Sequence, residues 1–143
     1  MLVRLMYASR AAESVNADAL AAILKRSKEN NPKVGVTGVL CFCTNARIFL
    51  QVLEGGRNAV SALYNRISQD PRHYDVALLS YEEIGERSFS HWSMGQVNMS
   101  RLNPALVLKY SESAQLDPYA VSGQASLALF NELVATASIG VQV

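Results

Sequence analysis

Hydrophobic and polar positions alternate most clearly over Arg47–Gly56, RIFLQVLEGG, which ends at a Gly-Gly turn. The alternation predicts a strand with Ile48, Leu50 and Val52 on one side and Phe49, Gln51 and Leu53 on the other. Gln51 is the odd member. A carboxamide between Phe49 and Leu53 on a buried face needs partners for two donors and an acceptor. Leu2–Ser9 predicts another strand, with Val3, Leu5 and Tyr7 on its inner face. Tyr7 is then buried near the strand end, and its hydroxyl also needs a partner.

Between these strands, a helix capped by Asn16 or Asp18 runs to about Glu29. Leu20, Ile23, Leu24 and Ser27 share one stripe, and Asn30-Asn31-Pro32 stops the helix. Val34–Cys43 predicts a strand whose glycines, Gly35 and Gly38, mark a bulge or a close approach by another group. Thr44-Asn45-Ala46 joins it to Arg47–Gly56 as a hairpin. Asn58–Gln69 is a second amphipathic helix, with Val60, Leu63, Tyr64 and Ile67 on its stripe and Asp70-Pro71 at its end. Tyr74–Ile84 contains a fourth strand, and Trp92–Met99 a short fifth one, weakened by Gly95.

Pro104 opens a short helix through Tyr110, Ser111–Pro118 is a polar connector, and roughly Ala120–Ala137 is a longer apolar helix. Leu127, Phe130, Leu133 and Val134 share its stripe. The order β-α-β-β-α-β is the ferredoxin-like α+β arrangement, with both helices on one face of the sheet. A fifth strand and the C-terminal helices are added to it. Residues 1–100 are expected to form one domain, with 101–143 a helical extension packed on it that docks, dimerises or reports. In this fold Tyr7 and Gln51 point into the layer between sheet and helices, and Asn30-Asn31 ends one of those helices. Phenol and amide groups then converge in an apolar slot, which suits a flat ligand with polar edges.

Composition narrows the classes. The 143 residues, half of them hydrophobic and 17% charged, suit one domain with a real core. A net charge of +1 argues against broad nucleic-acid or anionic-membrane binding. No apolar run approaches the roughly 18 residues of a spanning helix, and the start lacks a long secretory segment, so the default expectation is cytoplasmic. Cys41 and Cys43 would sit on one strand face about 7 Å apart, and no second Cys/His cluster exists to make a metal site. Both are expected to be packing thiols.

Six stretches in order carry a resemblance: Tyr7, ILKRSKENN (Ile23–Asn31), VGVTGVL (Val34–Leu40), FLQVLEG (Phe49–Gly55), DPRHY (Asp70–Tyr74) and FSHWSMG (Phe89–Gly95). Together they resemble the BLUF family, blue-light sensors that use FAD, over about residues 1–100. The C-terminal helices resemble the tail of its short, stand-alone members. The resemblance implies a non-enzymatic photoreceptor with Tyr7 as electron and proton donor, and Gln51 between Tyr7 and the flavin N5 and O4 edge. It implies Asn31 at the flavin C4 carbonyl, Asn30 beside the ring, Ile23 and Ser27 along its helix side, and Phe49 packed near it. Arg66, Asp70, Arg72 and His73 fall near the ribityl, phosphate or sugar end, and Trp92 and Met94 form the output pair. FMN or riboflavin would also satisfy these matches. A protein partner and a homo-oligomer are implied, with no nucleic acid and no membrane.

Taken one at a time, these residues have plainer readings. Tyr7 is a core tyrosine, Asn30-Asn31 a helix terminus, Trp92 an anchor, Met94 a gap filler, and the arginines solvated. The plain readings do not predict one another's spacing. Two other functions stay open: a flavin-dependent oxidoreductase, for which no G-x-G-x-x-G nicotinamide fingerprint is present, and a cofactor-free ferredoxin-like interaction module.

Overall fold

The computed structural model describes residues 1–97, 102–136 and 139–140. Its strands are β1 (Leu2–Ala11), β2 (Thr37–Cys43), β3 (Ile48–Gly56), β4 (His73–Ile84), β5 (Gly95–Val97) and the two-residue β6 (Ile139–Gly140). Its helices are α1 (Ala17–Asn30), α2 (Arg57–Gln69), α3 (Pro104–Leu108) and α4 (Gly123–Ala135). The sheet order is β4-β1-β3-β2-β5-β6. β5 runs parallel to β2, and all other neighbours are antiparallel. This is the ferredoxin-like α+β core with its added strand.

Alternation along the two central strands sorts their side chains onto two faces. Val3, Leu5, Tyr7, Phe49 and Leu53 pack under α1 and α2 with Leu24 and Val60. Met6, Ala8, Ile48, Leu50 and Val52 pack on the opposite face with Val107, Leu129, Phe130 and Leu133. The C-terminal helices therefore cover the outer face of the sheet rather than standing clear of it. Among the described residues, no helix is long and apolar enough to cross a membrane.

Several boundaries move for identifiable reasons. Asn16 caps α1, its Oδ1 accepting the Ala19 N–H at 2.8 Å. The second strand begins at Thr37 rather than Val34, because Asn31–Val34 continues α1 as a 3-10 turn that ends at Gly35 with φ 69°. Gly38 lies in β2 where a Cβ would come within 2.1 Å of the Val52 carbonyl oxygen, the close approach its place in a strand implied. The fifth strand is shorter than expected. It starts at Gly95, so Trp92 and Met94 precede it, and Asn98 and Met99 lie outside the described residues. The last helix starts at Gly123, and the expected end at Ala137 also lies outside them. Cys41 and Cys43 are buried and not joined in a disulfide, with sulfurs 4.0 Å apart.

Candidate functional site

The face under α1 and α2 is not filled. A cleft of about 560 Å³ opens between sheet and helices, within the roughly 300–1,000 Å³ of small-molecule sites. Both helices line it by the same period. α1 contributes Ile23, Arg26, Ser27 and Asn30, and α2 with its cap contributes Leu63, Arg66, Ile67 and Asp70. Each set runs i, i+3, i+4, i+7, which is one face of a helix. The floor is Tyr7 from β1, Leu40 from β2, and Phe49 and Gln51 from β3.

The polar groups of the floor are already connected. Tyr7 and Gln51 are register partners on β1 and β3. The buried Tyr7 hydroxyl donates to Gln51 Oε1, and Gln51 Nε2 donates to Met94 Sδ at 3.2 Å. Gln51 is only 5% exposed, and its second N–H and remaining lone pair belong to the cleft floor. Burial, with smaller contributions from Tyr64 and Asp70, pushes the Tyr7 phenol far above its ordinary pKa.

The segment before β5 is gripped at three consecutive residues. The Gly38 N–H donates to the Trp92 carbonyl at 3.0 Å, Asn31 Nδ2 donates to the Ser93 carbonyl at 2.9 Å, and Gln51 holds Met94. The two expected output residues part company here. Met94 is buried with the inner cluster beside Gln51, whereas Trp92 packs half-buried against the outer one. Two positions apart in a strand they would share a face, but the chain is not yet a strand at this point.

The remaining expected residues divide by polarity. Asn31 is buried at the end of α1, whereas Asn30 is exposed on the cleft rim. His73 lines the cleft beside the floor, its Nδ1 2.7 Å from Ser9 Oγ and its ring 6.4 Å from Tyr7 and 4.6 Å from Phe49. Burial lowers its pKa. Arg72 forks onto Asp70 at 2.6–3.1 Å, which holds the Asp70 carboxyl below its ordinary pKa. Arg26 and Lys33 also line the cleft, though sequence reasoning did not single them out. Arg26 was findable, since it lies three residues after Ile23 and one before Ser27 on the same stripe. Among the described residues, the salt bridges leave Arg26, Lys33 and Arg66 without a carboxylate.

An apolar slot floored by a phenol and a carboxamide and edged by cations without a carboxylate partner matches a flat heterocycle with a polar rim and an anionic tail. The residues thus fit a flavin. Fold and cleft together define an α+β ligand-binding domain of ferredoxin-like type.

The chain belongs to the BLUF family, sensors of blue light using FAD, whose profile matches residues 2–95. It is 34% identical over 94 residues to photoactivated adenylate cyclase subunit beta of Euglena longa, spanning 65% of this chain and 11% of that protein. BlsA in its photo-activated state is 34% identical with a TM-score of 0.80, covering 94% of this chain and 95% of the other. BlrB in its dark state is 31% identical with a TM-score of 0.79, covering 95% and 96%. Blue-light sensing through a bound flavin is the family's function.

Proposed function

We propose that the chain is a blue-light receptor, not an enzyme, that holds FAD non-covalently in this cleft and signals to a protein partner. The supporting observation is the bonded series Tyr7 Oη, Gln51 Oε1, Gln51 Nε2, Met94 Sδ, which opens on the cleft at one end and reaches the β5 segment at the other. Ile23, Ser27 and Phe49 would flank the ring, Asn30, Asn31 and Gln51 its polar edge, and Arg72 and His73 its far end. Arg26, Lys33 and Arg66 favour a flavin that carries phosphate over riboflavin.

Bound flavin supplies absorption of blue light and, when excited, a strong oxidant. The remaining chemistry belongs to the chain. Tyr7 stays protonated in the dark because burial opposes the phenolate. Loss of an electron makes the phenol strongly acidic, and its proton leaves along the bond to Gln51 Oε1. When electron and proton return, Tyr7 is restored, but the carboxamide settles in a second orientation or tautomer. A reversed amide turns its oxygen toward Met94 Sδ, replacing a donor by an acceptor. Each unsatisfied buried group costs about 1–3 kcal/mol, enough to shift the preferred position of Met94.

Residues 92–97 and the C-terminal helices then carry the change. Packing of Trp92 against the same outer cluster as Val107, Leu129 and Phe130 supports routing it through those helices. A cytoplasmic location and a homo-oligomer go with this reading, and purely monomeric elution on size-exclusion chromatography would reject the second.

The deciding experiment is an absorption spectrum before and after blue illumination. The purified protein is expected to be yellow and to shift reversibly to longer wavelength. A colourless protein that also fails to take up FAD in vitro would overturn the proposal.

A further inference from the structure

The loop from β4 to β5 is tied to β3 in two places, and the ties differ in kind. At its near end the tie is Glu54, a carboxylate with 0% exposure on the outer face. Glu54 Oε2 accepts from Arg4 Nε at 2.8 Å and from the Ser88 N–H at 3.0 Å, and Oε1 accepts from the Phe89 N–H at 2.7 Å. Arg4 reaches on to Glu82 at 2.9 Å and to Ser88 Oγ at 2.7 Å. The Phe89 ring is fully buried, and its carbonyl accepts the Trp92 N–H at 3.3 Å. At the far end the tie is Gln51 to Met94, an amide on a thioether. Charge-assisted bonds are about twice as strong as neutral ones, and a thioether is a weak acceptor.

The chemistry of position 54 is telling. Ile48, Leu50 and Val52 precede it on the same face, and an apolar residue there would continue the core. A buried ion pair is weak evidence for stability, since packed hydrocarbon often does as well. What a carboxylate does and hydrocarbon does not is grip two consecutive backbone N–H groups of a loop.

We propose that Glu54 is a positioning residue for the light response. It fixes residues 88–89 as the stationary base of the loop, so that a change at Gln51 moves Trp92, Ser93 and Met94 and leaves the sheet in place. The inference rests on the reading of Tyr7 and Gln51 as the light-driven pair. Glu54 and Gln51 lie three residues apart on opposite faces of one strand, one holding the fixed end of the loop and the other its movable end.

Trp92 is the sole tryptophan, so its fluorescence reports on this loop alone. Glu54→Gln keeps the shape but presents an N–H to one set of donors. In the dark, acrylamide quenching of Trp92 is expected to rise at least about twofold. After blue light the flavin shift is expected at full amplitude, with dark recovery slowed at least about fivefold, the size of one lost buried hydrogen bond. A merely structural role would lower the melting temperature and leave quenching and recovery unchanged, and that result overturns the proposal. Should E54Q fail to fold, Arg4→Lys decides. It keeps the charge but cannot span Glu54, Glu82 and Ser88 together. Recovery slowed about threefold supports the proposal, and unchanged recovery overturns it. A wild-type protein with no light-induced shift rejects the photoreceptor reading instead, and dark-state quenching then tests the loop by itself.

Discussion

The two faces of the sheet are built from the same strands by the same alternation, yet they are finished differently. On the outer face, Ile48, Leu50 and Val52 pack with Val107 of α3 and Leu129, Phe130 and Leu133 of α4, and both oxygens of the buried Glu54 carboxylate accept hydrogen bonds. On the inner face, Phe49 and Leu53 meet α1 and α2 around an open cleft with a phenol and a carboxamide on its floor. A core is normally packed to crystal density, so space on one face of a well-packed sheet marks a place kept for something else. Closure on one side holds the strands rigid and lets the polar groups on the other keep their geometry.

The largest effect expected from breaking this contrast is on the inner floor. Gln51→Leu makes it as apolar as the outer face. The variant should stay yellow, since Gln51 is one contact among many, but lose the light-induced shift entirely. Tyr7→Phe should do the same, because it removes the proton along with the hydroxyl. Difference spectra under blue light check both, and a normal shift in either would show that this bonded pair is not the switch.

Stability should respond the other way. Phe130→Ala opens a hole in the closed face and is expected to cost about 3–5 kcal/mol, read from the urea midpoint. Leu63→Ala on the cleft wall should cost about 1–2 kcal/mol, because its side chain is only partly buried. Adding FAD at a hundredfold excess over its dissociation constant should stabilise the wild type by about 2.7 kcal/mol. Equal losses at the two positions would mean that the faces do not differ in packing.

Much of the inner face was legible because its signals are periodic. Gln51 stood out against Phe49 and Leu53 by period two, and Ile23 and Ser27 lay on one helical stripe. Where the chain leaves its periods, legibility stopped. Trp92 and Met94 were expected as a pair on one strand, but the loop turns between them and sends them to opposite faces. Glu54 went unremarked at the end of an apolar series, because its partners Ser88 and Phe89 are backbone donors more than thirty residues away. A backbone N–H carries no sequence signature. The late start of β2 had a local cue in Pro32 and Gly35, but only the observed backbone shows that the 3-10 turn uses both.

The smallest effect sharpens the comparison through pH. His73 is a titratable group on the inner face, against Tyr7, Phe49 and Ser9 and close to Asp70 and Arg72. Burial, partly offset by Asp70, lowers its pKa below the ordinary 6.5. The unfolded chain therefore takes up this proton at a higher pH than the folded one. Between the two pKa values the unfolded state binds more protons, so stability rises with pH across that window and is lost as pH falls below about 6.5. Asp70 acts with the same sign in a separate window, since hydrogen bonds from Arg72 hold its carboxyl below 3.8, and its contribution is lost only as pH falls through that lower range. Melting temperatures at pH 7.5, 6 and 5 separate the two. The wild type should lose stability toward pH 5, and His73→Asn, which keeps an acceptor near the Nδ1 position but cannot titrate, should stay flat over the same range. If the variant falls as steeply as the wild type, the acid sensitivity lies elsewhere, and the imidazole is only a neutral spacer beside Phe49.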